Sequence, residues 1–225
     1  MIDIFKSQVF HDDCLNILDK FPDNSIDVCL TDPPYGIDFQ SNARTEKLPK
    51  ILNDEEPFID WIEPLFKKMK DGGRLLCFYR WDVQDAFLDE IRRVGFNVKS
   101  QIVWNKNQPG MGDLKGEFAP SHELIIYATK GRYEFKGKRP ITVYNINRLS
   151  TPEHPNEKPV KLLQKIINDI SVKGEIFFEP FAGSFSTYIA ATSLGRVCIT
   201  TELDEYYYKK GMERLKFDIS NNDFF

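Results

Sequence analysis

The run Ile26-Asp27-Val28-Cys29-Leu30-Thr31 stops abruptly at Asp32-Pro33-Pro34-Tyr35-Gly36. Paired prolines fix φ and remove two amide hydrogens, so no central strand continues through them. The run itself is short and mostly apolar, the pattern of a strand covered on both faces. The sequence therefore predicts a buried strand ending in a rigid turn that carries a carboxylate, a proline carbonyl and an aromatic ring. Far downstream the arrangement recurs in another form. Glu175–Glu179 reads as a strand, Pro180-Phe181-Ala182-Gly183-Ser184 as a turn, and Ser186–Leu194 as a helix.

The remaining elements alternate. Gln8–His11 is a strand candidate and Cys14–Lys20 a helix. Phe58, Ile59, Ile62, Leu65, Phe66 and Met69 keep helical spacing, with Pro64 expected to kink or end part of that helix. Gly72-Gly73 opens a strand over Arg74–Tyr79, and a helix near Val83–Val94 stops at Gly95. Val98–Trp104 and Glu123–Thr129 are strands, joined by a glycine-containing loop over Asn105–Pro120. Pro159 begins a helix with Val160, Leu163, Ile166, Ile167 and Ile170 on one face. Arg196–Thr201 is a strand, and Asp204 caps a helix running to Lys216. Gln40–Asp54 is polar without period and reads as a mobile loop. Such alternation predicts an α/β fold, a mostly parallel sheet with helices on both faces.

Ligands of such sheets bind beyond the carboxyl ends of the strands, where strand order reverses. Both unusual turns fall at strand carboxyl ends. At the first, Asp32 and the Pro33 carbonyl can accept both hydrogens of a planar amino group while Tyr35 stacks on its ring. At the second, Gly183 lets backbone N–H groups approach a ligand at a helix N-terminus. Thr200-Thr201-Glu202 then ends the next strand with a carboxylate suited to ribose hydroxyls of an adenosine-containing cofactor.

Composition narrows the classes. The chain has 225 residues, 41% of them apolar, enough for one substantial core. It contains no apolar stretch of about 18 residues and no signal-peptide pattern at Met1–Lys6, which predicts a soluble, cytoplasmic protein without membrane contact. Cys14, Cys29, Cys77 and Cys198 are widely spaced, three of them inside apolar runs, as expected of buried thiols in a reducing compartment. No Cys-x-x-Cys or paired-histidine spacing suggests a metal site. The net charge is −4, yet Lys99 to Lys165 holds 12 basic against 6 acidic residues, a segment able to meet phosphate.

These residues together resemble a family, the S-adenosylmethionine-dependent DNA amino-methyltransferases of the β permutation class. Asp32-Pro33-Pro34-Tyr35 is similar to the family's catalytic motif and Phe181-Ala182-Gly183 to its cofactor motif, in that class's order. His154-Pro155-Asn156-Glu157-Lys158-Pro159 looks like the segment that starts a helix over the cofactor. Trp104-Asn105-Lys106 and His122-Glu123 resemble its middle strands, and Phe10–Leu15 the segment whose acid meets adenine. One position departs. Phe185 stands where the family usually has glycine, so either the backbone there suits Phe or its ring packs beside the cofactor.

The resemblance implies a Rossmann-like methyltransferase fold with a mostly parallel seven-stranded sheet and permuted motif order, over residues 1–225 as one domain. It implies a small basic DNA-contact insertion near 105–152. The implied activity is methyl transfer from S-adenosylmethionine to the adenine N6 amino group of flipped DNA bases. Cytosine N4 is the alternative, because the same chemistry serves both amino groups; family members of that type more often carry Ser at the Asp32 position, so Asp favours adenine. A catalytically dead DNA-binding relative is a further alternative. Asp32, Pro33, Pro34 and Tyr35 would be catalytic. Asp13, Asp32, Lys158, Phe181, Gly183, Ser184, Phe185, Ser186 and Glu202 would hold the cofactor. Lys106, Lys130, Arg132, Lys136, Lys138 and Arg139 would meet DNA. Gln40–Asp54 would close over the flipped base. Expected partners are DNA, a second copy of the chain and a restriction endonuclease, in a prokaryotic or phage-encoded setting.

Overall fold

The computed structural model describes residues 2–36, 56–110, 114–149 and 157–221, with side chains through 217. The expected loop Gln40–Asp54 and His154, Pro155 and Asn156 lie outside them. In chain order the elements are β1 (Gln8–His11), α1 (Cys14–Leu18), β2 (Ile26–Thr31), α2 (Ile62–Lys68) and β3 (Met69–Tyr79). A short 3₁₀ turn (Trp81–Val83) leads into α3 (Gln84–Arg93), β4 (Asn97–Asn105), β5 (His122–Thr129) and β6 (Val143–Asn145). Then follow α4 (Val160–Ile170), β7 (Ile176–Glu179), α5 (Ser186–Ser193), β8 (Val197–Glu202) and α6 (Glu205–Asn221).

The strands form one eight-stranded sheet in the order β1-β8-β7-β2-β3-β5-β4-β6. The five strands from β1 to β3 are parallel, β5 runs against both its neighbours, and β6 is parallel to β4. The sheet has one strand more than the seven expected. The addition is β6, three residues beside β4 at the sheet edge, too short to show a period.

Two other expectations are corrected. Pro64 neither kinks nor ends α2, because it is the third residue of a helix beginning at Ile62. Amide hydrogens of a first turn have no intrahelical partner, so proline loses nothing there. β3 begins at Met69 and runs through Gly72-Gly73 rather than starting after them. Gly72 takes φ +76°, and the pairing with β2 shifts register between Ile26 and Val28.

β2 and β7 form the middle of the core. Val28, Cys29, Leu30, Phe177 and Phe178 are fully buried, and α4 adds Leu162, Leu163, Ile166, Ile167 and Ile170. Each such side chain contributes about 1.5–3 kcal/mol by leaving water. All four cysteines are buried free thiols.

Phe185 precedes α5 in the left-handed region, φ +61°, with its ring fully buried. The ring lies against α6 at Gly211, where an added Cβ would sit 2.7 Å from three ring atoms. A bulky residue in a glycine-like conformation is thus matched by a glycine in the facing helix. Gly211→Ala is expected to lower Tm by about 2–8 °C: a contact this close puts overpacking at ~2–3 kcal/mol, partly offset by ~1 kcal/mol of helix propensity. A thermal melt showing an unchanged or raised Tm would mean the ring yields freely.

Candidate active site

β2 and β7 lie side by side, Val28 opposite Phe177 and Cys29 opposite Phe178. From β2 the chain crosses through α2 to β3, on one side. From β7 it crosses through α5 to β8, on the other. Right-handed crossovers in opposite directions put α2 and α5 on opposite faces, opening a crevice beyond the carboxyl ends of β2 and β7. Both unusual turns open into it. One cavity is lined by Asp32, Pro33, Pro34 and Tyr35 from the first, and by Phe181, Gly183, Ser184 and Ser186 from the second. Asp13, Lys158 and Glu202 complete the expected residues along its wall.

The wall nearest β2 is a charged cluster. Asp32 accepts hydrogen bonds from the Tyr35 hydroxyl and from Lys158 Nζ. Tyr35 is buried, edge-on to Phe87 with ring centroids 6.4 Å apart. The Pro34 carbonyl accepts from the Phe58 amide at 3.2 Å, which pins the turn. Lys158 Nζ also lies 3.2 Å from Glu123 Oε2, and Lys106 Nζ lies 2.7 Å from Glu123 Oε1. Burial pushes the Asp32 carboxyl up, with Lys158 opposing. Burial would lower Lys158, yet the Asp32 and Glu123 carboxylates hold its ammonium above the usual lysine range.

The opposite wall is built around carboxylates and backbone N–H groups. Glu202 Oε2 accepts from Gly183 N at 2.7 Å and Oε1 from Asp204 N at 2.9 Å, tying the ends of β7 and β8 together. Burial raises the Glu202 carboxyl. Asp13 caps α1, accepting from Leu15 N at 2.8 Å, and Asp12 accepts from Asp13 N at 2.8 Å. Phe181 is packed edge-on against Phe58 and Trp61, at 5.9 and 5.8 Å between centroids. Ser184 and Ser186 hydroxyls are 3.0 Å apart, and Arg214 donates to Ser184 O and Ser186 Oγ.

Phe185 is the exception among the expected cofactor residues. Its left-handed backbone turns the ring away from the cavity and into α6, so it does not line the crevice. Lys158 does line it, but on the Asp32 side, engaged by two acids.

The expected DNA-contacting residues separate. Lys106 follows β4 at the same end of the sheet as Asp32. Lys130 and Arg132 do not, because β5 is antiparallel: Leu124 faces Tyr79 near the crevice, whereas Thr129 faces Arg74 toward the opposite end. Lys130 there donates to the carbonyls of Phe66 and Met69 at 2.9 and 2.8 Å, and Arg132 pairs with Glu134 at 2.7 Å. Lys130 and Arg132, expected to contact phosphate, thus stand at the end of the sheet away from the Asp32–Tyr35 turn. Lys136, Lys138 and Arg139 are exposed on the stretch returning toward β6.

Two acids of the site were not among the expected site residues. Glu179, at the end of β7, lines the cavity and accepts from Thr31 Oγ1 at 2.8 Å and Phe181 N at 3.2 Å. Burial pushes its carboxyl up to about 8. The available signal was a glutamate closing an otherwise apolar strand. Glu123 gave a similar one, an acid among the first residues of an apolar strand.

Fold and site together define a doubly wound α/β protein that takes its ligand across the switch point of the sheet. A family model described as DNA methylase matches residues 26–213, and the chain belongs to that family. YubD of Escherichia coli (strain K12) is 32% identical over 214 residues, covering 93% of this chain and 90% of YubD. The DNA adenine methyltransferase YhdJ of the same organism is 29% identical, covering 92% and 82%. Among solved structures, the M1.HpyAVI–SAM complex aligns with a TM-score of 0.71 at 24% identity, covering 92% of this chain and 98% of that one. PvuII DNA methyltransferase (cytosine-N4-specific) aligns at 0.74 with 18% identity, covering 93% and 86%.

Proposed function

We propose that this protein transfers the methyl group of S-adenosylmethionine to the exocyclic N6 amino group of adenine in DNA. The observation that carries this reading is the meeting of the Asp32–Tyr35 and Phe181–Ser184 turns in one cavity, from neighbouring parallel strands. The far wall suits the cofactor: an acid ends β8, a glycine with φ +51° opens its amide toward that acid, and Asp12 and Asp13 stand beside them. Glu202 would meet the ribose, Asp13 the adenine edge, and Phe181 the cofactor's flank, with Ser184 and Ser186 at the helix entrance. Bound there, the cofactor supplies a methyl group already activated as a sulfonium.

The amino nitrogen of adenine is a weak nucleophile because its lone pair is delocalised into the ring. Asp32 and the Pro33 carbonyl accept its two hydrogens and draw the nitrogen toward tetrahedral geometry, localising the pair. Tyr35 stacks on the base, which must leave the duplex to reach the crevice. Fixing the nitrogen in line with the methyl group supplies much of the remaining acceleration. No covalent enzyme intermediate is needed. Exposed Lys136, Lys138 and Arg139 are the basic side chains offered to phosphate, whereas Lys106, at the same end of the sheet as Asp32, is engaged by Glu123.

Adenine is favoured over cytosine by Asp32, at a position where N4-cytosine members of the family more often carry Ser, and by likeness to YhdJ. Incubation with unmodified DNA and labelled cofactor, followed by mass spectrometry of the nucleosides, is expected to yield N6-methyladenine. N4-methylcytosine would transfer the same chemistry to the other base. Absence of any methylated nucleoside would overturn the proposal.

A further inference from the structure

Lys158 is held from two sides. Its ammonium donates to Asp32 Oδ2 and lies 3.2 Å from Glu123 Oε2, with the Phe78 ring centroid 4.9 Å away. Its side chain is only 9% exposed. Lys106, Glu123, Lys158 and Asp32 thus alternate in charge, arriving from β4, β5, the segment just before α4 and the end of β2.

This arrangement creates a problem for an acceptor of amino hydrogens. One Asp32 oxygen carries the Tyr35 hydroxyl and the other the Lys158 ammonium. Each oxygen keeps a second lone pair, but the charge that would draw a substrate amino group is already neutralised by the Lys158 ammonium, so Asp32 becomes a strong acceptor only when that cation gives way. Withdrawing Lys158 with no second acid nearby would strand a buried cation, which is strongly unfavourable. Glu123 removes that obstacle, because a small rotation about the lysine stem moves the ammonium fully onto it. Lys106 on the far side keeps Glu123 ionised and in place: burial works against its charge, but the two lysines hold its carboxyl below the usual glutamate range.

We propose that Glu123 is a positioning residue that takes over the Lys158 ammonium when the target amino group claims Asp32. The inference rests on Asp32 being the amino-group acceptor. Glu123 itself touches neither base nor cofactor in this scheme. Its effect is to make the exchange of donors at Asp32 nearly balanced. It belongs to the step in which the base seats, so cofactor affinity should not register its loss.

Glu123→Gln keeps the size of the side chain and removes its charge. Lys158 then closes on Asp32, and the incoming amino group competes poorly. The single-turnover methyl-transfer rate on DNA is expected to fall about 100-fold while the S-adenosylmethionine Kd stays within threefold. Adding Lys158→Gln removes the competing cation, and the double variant should recover at least tenfold over E123Q, a non-additivity that independent sites do not give. E123D, which keeps the charge, should lie between E123Q and the parent. An E123Q rate within threefold of the parent, or a double variant no faster than E123Q, would overturn the proposal.

Carbon-13 NMR titration of the Asp32 carboxyl gives a readout that needs no turnover. The groups facing Asp32 are Lys158, Glu123, Tyr35, Glu179 and Cys77. Loss of the Glu123 charge should lower the Asp32 midpoint, and Lys158→Gln should raise it. An Asp32 midpoint unmoved by E123Q sinks the coupling even in an inactive protein. If the parent methylates no DNA, the proposed function fails, and the titration still decides the role of Glu123.

Discussion

Asp32→Ala is expected to lower the methyl-transfer rate about a thousandfold or more while S-adenosylmethionine binds within a few-fold of the parent. Removing one preorganised polar group aimed at the reacting centre typically costs 10²–10³ in rate. Here the truncation also leaves the Lys158 ammonium without its Asp32 partner. The remaining Asp32 partner, Tyr35, loses its hydrogen-bond acceptor and some of its fixed orientation. The cofactor wall, made by Gly183, Glu202 and Asp13, shares no hydrogen bond with Asp32. Labelled-methyl transfer and calorimetry on the same preparation separate the two effects. Retention of more than a tenth of the parental rate would remove Asp32 from the chemistry.

The second large effect concerns pH. Glu179 is 3% exposed, and burial raises its carboxyl from an ordinary 4.5 to about 8. Between those values the folded chain holds a proton that the unfolded chain has released. Stability from this group is therefore complete below about pH 4.5 and is lost as pH rises toward 8. The span corresponds to ~4 kcal/mol at its upper end. Glu123, held low by its lysines, contributes with the opposite sign. Glu179→Gln copies the neutral acid in size, so its denaturant midpoint should change much less between pH 5 and 8 than that of the parent. Equal slopes in the two proteins would show that Glu179 is ionised when folded.

The strands nearest the site were legible because burial on both faces leaves a mostly apolar run, as in Ile26–Thr31 and Phe177-Phe178. The turns after them were legible because Pro33-Pro34 and Gly183 restrict or free the backbone in ways few other residues do. Strand direction was not. Nothing in Glu123–Thr129 says that it runs against β3, and that reversal carried Lys130 and Arg132 away from the crevice. The Phe185 conformation was equally hidden, since its explanation is Gly211, on another helix. β6 is an edge piece whose three residues are fixed by pairing with Val103–Asn105 rather than by their own pattern. Glu123 and Glu179 were given no site role because a lone acid in a strand has no period, and its partners come from distant segments.

The pairing of β2 with β7 also dictates when the site can exist during synthesis. Val28 meets Phe177 only after nearly the whole intervening chain has been made. At ~5–20 residues per second, the first turn waits roughly 10–30 s on the ribosome for its neighbour. Until then the nascent protein carries the Asp32–Tyr35 turn with no opposite wall beside it. Catalytic competence arrives late, and all at once.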